Sequence, residues 1–235
     1  METRLYVALT SEELKRDRSL LEELAGLPLG MKVGLELFVG MGPGLLEDIR
    51  ERGFPLFLDL KFHDIPYTVE GAVRAACAYS PSLLNVHASG GRRMMEKAAE
   101  AAGVSGGGTR VLAVTVLTSL GADDLEDVGI PGEPAGMVAR MAIAAMESGL
   151  SGVVCSPAEA SAVREATSPD FLIVTPGVRP SDSPMDDQKR TATPFEAVKA
   201  GATSLVVGRP VTRASRPREA AESLLSEINL AFSER

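Results

Sequence analysis

Short apolar runs alternate along this chain with longer runs rich in Ala, Glu and Arg. The short runs are typical of buried strands in a parallel sheet, because both faces of such a strand are covered. They predict eight strands, at Leu5–Leu9, Met31–Leu37, Pro55–Lys61, Leu83–His87, Val111–Leu117, Gly152–Cys155, Phe171–Thr175 and Ser204–Val207. Eight strands that alternate with helices predict a (β/α)8 barrel, the TIM-barrel fold of the α/β class.

The longer runs place apolar residues at helical spacing and predict the crossover helices of that barrel. They lie at Glu12–Leu24, Gly44–Arg52, Thr68–Ala78, Arg92–Ala102, Pro134–Ser148, Ala158–Ala166, Pro194–Ala200 and Pro217–Phe232. No linker rich in Pro, Gly and Ser divides the chain, so we expect a single domain over residues 1–235. The one long irregular segment is Gly177–Thr193, and such segments are usually functional or disordered.

Polar residues gather where the predicted strands end. They include Asp59, Lys61, His87, Thr118, Thr175, Arg179 and Arg209, whereas Lys32 lies early in the second strand. The carboxyl ends of the strands form the catalytic face of a (β/α) barrel, so most of these residues are expected to converge there. This pattern predicts an enzyme.

The third predicted strand runs into Asp59, Lys61 and Asp64, and Pro66 ends it. Asp59 and Lys61 share a face because they are two residues apart. Lys32 is unusual within an apolar strand, and we expect it to join these three in a neutral network of two cations and two anions. An ammonium group held by two carboxylates keeps its proton and is suited to act as an acid.

Two neighbouring loops after the late strands carry a glycine and an arginine each. The first contains Gly177 and Arg179, and the second contains Gly208 and Arg209. Glycine lets backbone N–H groups approach an anion, and arginine adds a permanent forked cation. Together they predict a phosphate site.

Composition narrows the class of protein. The chain has 235 residues, 45% hydrophobic content and a net charge of −8. An acidic chain without a basic run is a poor candidate for binding nucleic acid or an anionic membrane. The two cysteines, Cys77 and Cys155, are expected to be buried thiols, and with no signal peptide or membrane span we expect a cytoplasmic protein. We find no motif for a nucleotide cofactor and no metal-site spacing, so neither is expected.

The motif Asp59-x-Lys61-x-x-Asp64-Ile65-Pro66 resembles the signature of the orotidine 5′-phosphate decarboxylases. Further motifs follow in that family's order and cover almost the whole chain. They are Lys32-Val33-Gly34, Asn85-Val86-His87-Ala88, Val116-Leu117-Thr118-Ser119, Thr175-Pro176-Gly177-Val178-Arg179-Pro180, Asp187-Gln188-x-Arg190 and Val207-Gly208-Arg209-Pro210.

The resemblance implies an enzyme that converts orotidine 5′-phosphate to uridine 5′-phosphate and CO2, in de novo pyrimidine synthesis, without a cofactor. Its catalytic residues would be Lys32, Asp59, Lys61 and Asp64. Lys61 would protonate C6, and Asp59 would lie beside the substrate carboxylate.

The resemblance also implies the substrate contacts. Thr118 would lie near the pyrimidine, and Gln188 would bridge base and phosphate. Arg179, Gly208 and Arg209 would hold the phosphate, with Gly177–Thr193 closing as a lid. In a homodimer, the partner subunit would contribute its copies of Asp64, Ile65 and Thr68 near the ribose.

One position departs from the family pattern. The family usually ends its first strand in Ala-Leu-Asp, and that aspartate contacts the ribose hydroxyls, whereas this chain has Ala8-Leu9-Thr10. Threonine keeps one hydrogen-bonding hydroxyl but no charge. We therefore expect Thr10 to bind the ribose more weakly than an aspartate would.

Two other functions fit parts of the pattern. A metal-dependent sugar-phosphate decarboxylase or aldolase of the same superfamily shares the Asp-x-Lys-x-x-Asp spacing, but Lys32, Ile65-Pro66 and Gln188 argue against it. A non-catalytic nucleotide-binding relative could have lost its ribose aspartate, but the four intact charged residues argue against decay: Lys32, Asp59, Lys61 and Asp64.

Overall fold

Eight parallel strands form the core of the molecule in a computed structural model that describes residues 3–10, 12, 19–130, 134–179 and 192–235. They pair in chain order, and the eighth strand closes onto the first. The strands are β1 Leu5–Leu9, β2 Gly30–Gly34, β3 Leu56–Phe62, β4 Leu83–His87, β5 Arg110–Val114, β6 Gly152–Val154, β7 Leu172–Thr175 and β8 Ser204–Val207.

Helices surround this barrel, and most of them connect consecutive strands. Within the described residues they are α1 Ser19–Leu24, α2 Leu35–Met41, α3 Gly44–Glu51, α4 Pro66–Cys77, α5 Arg92–Val104, α6 Ala122–Asp127, α7 Pro134–Glu147, α8 Ala160–Ala166, α9 Pro194–Lys199, α10 Arg209–Thr212 and α11 Pro217–Ser233. Short 3-10 turns at Ala88–Gly90 and Pro157–Glu159 follow β4 and β6. The predicted (β/α)8 fold is confirmed, and the described residues form one barrel domain; its extension over all of residues 1–235 stays a prediction.

Two predicted strands were too long. The strand expected at Met31–Leu37 ends at Gly34, and Leu35 begins α2. The apolar run therefore contains the end of a strand and the start of a helix. In that helix Leu37 is buried, whereas Leu35 faces outward and is 54% exposed. The strand expected at Val111–Leu117 is Arg110–Val114, and residues 115–117 follow it at the rim of the barrel.

Most predicted helices agree with the structure to within a few residues. Three short helices, α2, α6 and α10, were not predicted; none of them exceeds seven residues, so the apolar repeat is too short to recognise. The expected helix at Glu12–Leu24 is present over Ser19–Leu24, and residues 13–18 lie outside the described residues.

Apolar side chains fill the interior of the barrel. The interior cluster contains Tyr6, Phe57, Leu83, Leu112, Leu172, Val174 and Val206. The rings of Tyr6 and Phe57 meet edge to face, with centroids 5.7 Å apart. This packed layer closes the barrel below the carboxyl ends of the strands, so that polar inward-facing residues above it share one open cavity.

The last helix, α11, covers one side of the barrel wall. Its buried residues recur at helical spacing (Ala221, Leu224, Leu225, Ile228 and Ala231), and the helix packs against α1, α9 and α10. No helix among the described residues has the length and apolar character needed to cross a membrane.

Candidate active site

The carboxyl ends of the strands surround a cavity of about 310 Å³. Its volume falls in the range of small-molecule sites. Seven of the residues predicted to form the site line this cavity: Lys32, Asp59, Lys61, Thr118, Arg179, Gly208 and Arg209. Apolar side chains, including Phe57 and Val206, form its floor.

Asp59 is at the centre of the charged group in this cavity. Its Oδ2 accepts a hydrogen bond from Lys32 Nζ at 2.8 Å, and its Oδ1 accepts one from Lys61 Nζ at 2.6 Å. The strand register explains this arrangement. Gly34 of β2 pairs with Asp59 of β3, and Lys32 lies two residues before Gly34 on the same face of β2, so Lys32 and Asp59 both face the interior of the barrel. The predicted contact among these three residues is therefore present.

These contacts keep Asp59 ionised although it is buried. Burial on its own would raise the pKa of this carboxyl, but the ammonium groups of Lys32 and Lys61 outweigh burial and hold the pKa below its ordinary value. The group of three carries one net positive charge. A cavity with that excess, lined by two further arginines, is suited to an anionic ligand.

The backbone at Lys61 was not anticipated. Its φ is +49°, and among the described residues only Ser80 is another non-glycine residue with positive φ. This left-handed conformation costs roughly 1–2 kcal/mol for a residue with a side chain. Strained residues of this kind cluster at functional sites, where surrounding contacts enforce them.

Asn85 is a member of the site that the sequence placed in a family motif but to which no role was assigned. It is fully buried on β4, its Oδ1 accepts from the backbone N–H of Lys61 at 2.8 Å, and its Nδ2 donates to Asp59 Oδ1 at 2.6 Å. A signal was present in the sequence, since Asn85 is a polar residue inside the apolar run Leu83–His87 and shares the inward face with Leu83.

The opposite side of the cavity carries the two predicted arginine loops. Gly177 and Arg179 follow β7, and Gly208 and Arg209 follow β8, its hydrogen-bonded neighbour. Gly177 has a φ of +78°, which only glycine adopts freely, so this turn requires it. Both arginine side chains border the same cavity as Asp59 and Lys61.

The remaining predicted site residues lie elsewhere. Asp64 is exposed, is absent from the cavity lining, and accepts a hydrogen bond from the backbone N–H of Ile65. The expectation that all four charged residues meet is therefore wrong within one chain, because β3 ends at Phe62 and the chain then leaves the cavity. Ile65 and Thr68 are also exposed, and Thr10 is partly buried just beyond β1; none of the three lines the cavity. Gln188 lies outside the described residues, as does most of the predicted lid.

The two histidines pair with each other. The rings of His63 and His87 have centroids 5.3 Å apart. Burial, the neighbouring His63 ring and Lys61 lower the pKa of His87, so that it is neutral at pH 7. Within the described ranges, no three His, Cys, Asp or Glu side chains lie together as a metal site would require.

Comparisons with known proteins show which family the chain belongs to. Residues 3–224 match the model of the orotidine 5′-phosphate decarboxylase / HUMPS family. The chain is 50% identical over 228 residues to orotidine 5′-phosphate decarboxylase of Chromohalobacter salexigens, with 97% of each chain covered. It is 46% identical to the enzyme of that name from Moorella thermoacetica, with 97% of this chain and 92% of the relative covered.

A solved structure gives the same result for the fold. The crystal structure of orotidine 5′-phosphate decarboxylase from Lactobacillus acidophilus superposes with a TM-score of 0.83 at 36% identity, covering 97% of this chain and all of the other. The chain therefore belongs to the orotidine 5′-phosphate decarboxylase / HUMPS family.

Proposed function

We propose that this protein decarboxylates orotidine 5′-phosphate to uridine 5′-phosphate, in the synthesis of pyrimidine nucleotides. The observation that carries the proposal is the Lys32–Asp59–Lys61 ion-paired group, which faces two arginine loops across one cavity. The chain is 50% identical to the orotidine 5′-phosphate decarboxylase of Chromohalobacter salexigens, and this similarity supports orotidine 5′-phosphate as the substrate.

The reaction needs a proton donor at C6 of the pyrimidine. The bond from C6 to the carboxylate breaks, its electron pair stays on C6, and CO2 leaves. Lys61 Nζ then donates a proton to C6 and regains one from solvent. The 2.6 Å contact with Asp59 Oδ1 fixes the direction of this ammonium group, which supports Lys61 as the acid.

Asp59 and Lys32 have supporting roles in this proposal. Asp59 lies beside the substrate carboxylate, so the two negative charges repel each other. This repulsion ends when the substrate carboxylate leaves as neutral CO2. Lys32 pairs with the other oxygen of Asp59 at 2.8 Å and keeps that carboxylate ionised and oriented.

The phosphate binds on the far side of the cavity. Arg179 and Arg209 supply forked cations, and Gly208 permits close backbone approach. Thr118 contacts the pyrimidine, and Gln188 bridges base and phosphate. Binding energy from the phosphate, which does not react, is then available to stabilise the transition state.

The active sites are shared across a two-fold dimer in this proposal. Asp64, Ile65 and Thr68 of each chain enter the partner's site near the ribose. The positive excess of the three-residue group supports this, because one carboxylate would neutralise it. Large exposed apolar side chains after the adjacent strands β2 and β3 also support a covered surface: Leu35 and Val39 on α2, and Ile65 and Tyr67 beside Asp64.

A cytoplasmic location also belongs to this proposal. Both cysteines, Cys77 and Cys155, are free and buried, as expected in a reducing compartment.

The direct test follows the absorbance of orotidine 5′-phosphate with protein that has been treated with a chelator. We expect conversion to uridine 5′-phosphate at the same rate with and without added divalent metal. The alternative from the sequence is a metal-dependent sugar-phosphate decarboxylase or aldolase. Turnover of a sugar phosphate that depends on added metal, with no turnover of orotidine 5′-phosphate, would therefore refute the proposal.

A further inference from the structure

The strands β3 and β4 lose their regular register beside the active site. Leu58 pairs with Leu84 and Phe62 pairs with Val86, so four residue steps along β3 face only two along β4. Asp59 and Lys61 lie on this bulged segment, and Asn85 is the β4 residue opposite it. A bulge of this kind leaves backbone groups without ladder partners and redirects side chains.

The side chain of Asn85 replaces the missing ladder contact. Its Oδ1 accepts from the backbone N–H of Lys61 at 2.8 Å, the residue whose φ is +49°. The two ends of the amide are assigned by this contact, since a flipped amide would direct its NH2 group at a backbone N–H. The carbonyl of Asn85 therefore satisfies the backbone N–H of Lys61 and holds Lys61 in its left-handed conformation.

The other end of the same amide holds the acid that Lys61 contacts. Asn85 Nδ2 donates to Asp59 Oδ1 at 2.6 Å, and Lys61 Nζ donates to that same oxygen at 2.6 Å. One fully buried amide thus fixes the carboxylate and the backbone from which the ammonium extends. An apolar residue at position 85 would leave the Lys61 N–H unpaired and Asp59 with one fewer donor.

We propose that Asn85 is a positioning residue that aligns Lys61 with Asp59 for proton delivery, an inference that rests on the proposed decarboxylase function. Asn85 does not border the cavity and acts through its two neighbours. Its loss should therefore lower the rate of the chemical step and leave substrate binding by the arginine loops nearly unchanged.

The test compares Asn85→Ala and Asn85→Asp with wild-type protein. For Asn85→Ala we expect kcat to fall about 100-fold, which is the loss of rate that a misplaced reacting group produces. We expect KM to change by less than about threefold. The control is Ser204→Ala, which removes a partly buried hydrogen bond from Ser204 Oγ to the backbone carbonyl of Thr3 at the opposite end of the barrel. This control should keep the wild-type kcat.

The pH dependence of Asn85→Asp separates positioning from a general loss of packing. The introduced carboxyl lies against Asp59, and both burial and the neighbouring charge raise its pKa. When protonated, it can donate to Asp59 and still accept from Lys61, as the amide does. We therefore expect the ratio of its kcat to that of wild-type protein to rise as the pH falls.

The rate is expressed per folded site, counted by calorimetric binding of uridine 5′-phosphate. Wild-type kcat in Asn85→Ala, a loss confined to KM, or a ratio for Asn85→Asp that does not change with pH would overturn the role of Asn85. Failure of both variants to fold would assign Asn85 to the fold instead and would also overturn it. Absence of turnover in wild-type protein would refute the proposed function itself, which is a distinct result.

Discussion

Two inactive variants should restore activity to each other when their subunits are mixed. The variants are Asp64→Asn and Lys61→Ala. Within one chain Asp64 lies outside the cavity, whereas Lys61 lines it. If each site takes Lys61 from one subunit and Asp64 from the other, a mixed dimer contains one site with both residues intact and one site with neither.

The size of the recovery follows from this geometry. Random reassociation of equal amounts makes about half of the dimers mixed, and each mixed dimer has one intact site of two, so activity should reach about one quarter of the wild-type value per total protein. The assay is the loss of orotidine 5′-phosphate absorbance after joint unfolding and refolding. Each variant alone, taken through the same cycle, gives the background.

A matched pair makes this test specific. Lys32→Ala and Lys61→Ala alter two residues that both contact Asp59 of their own chain. Their mixed dimer has no intact site, so this pair should show no recovery. No recovery with Asp64→Asn and Lys61→Ala, or equal recovery in both pairs, would refute the shared site.

Three further expectations test other parts of the account. Thr10→Asp should raise kcat/KM about tenfold, because a charged acceptor for the ribose hydroxyls adds roughly 1–1.5 kcal/mol over a neutral one. An unchanged or lower kcat/KM would refute the idea that the ribose site is missing a charged acceptor. Because the folded pKa of Asp59 lies below its ordinary value, its ionised form contributes full stability above the ordinary carboxyl range, and this contribution is lost as the pH falls from that range through the lowered pKa. Denaturant unfolding from neutral pH to about pH 3 should therefore show a steeper acid loss for wild-type protein than for Asp59→Asn, and parallel curves would contradict this. Gly152→Ala should destabilise the barrel by about 1–3 kcal/mol, because the backbone carbonyl of Leu172 already occupies the space of a Cβ; an unchanged Tm would refute that packing argument.

The barrel was predictable because each strand carries its own apolar run. Inward and outward positions also followed strand parity, as Phe57 and Asp59 on the inner face of β3 show. The strand prediction was wrong for the second half of Met31–Leu37, where the chain changes from strand to helix after Gly34. A short apolar run has no periodicity that distinguishes a strand from a helix.

The charged residues of the site could be recognised from the sequence, but their exact connections could not. The bulge in β3 depends on how β3 and β4 pair, and that pairing is set by contacts across the barrel. The left-handed Lys61 and the amide contacts of Asn85 follow from the bulge, so the local sequence shows only that Asn85 is a polar residue in an apolar run and not what it contacts. Asp64 was grouped with Lys61 because it is close in sequence, although the chain turns away after Phe62.

The central claim is that the ammonium group of Lys61 delivers the proton that replaces CO2. The measurement is single-turnover conversion of orotidine 5′-phosphate by wild-type protein and by Lys61→Ala, with calorimetric binding of uridine 5′-phosphate measured on both. We expect Lys61→Ala to bind the nucleotide through Arg179 and Arg209 and to form no detectable product. Product formation by Lys61→Ala at a rate near that of wild-type protein would contradict the account.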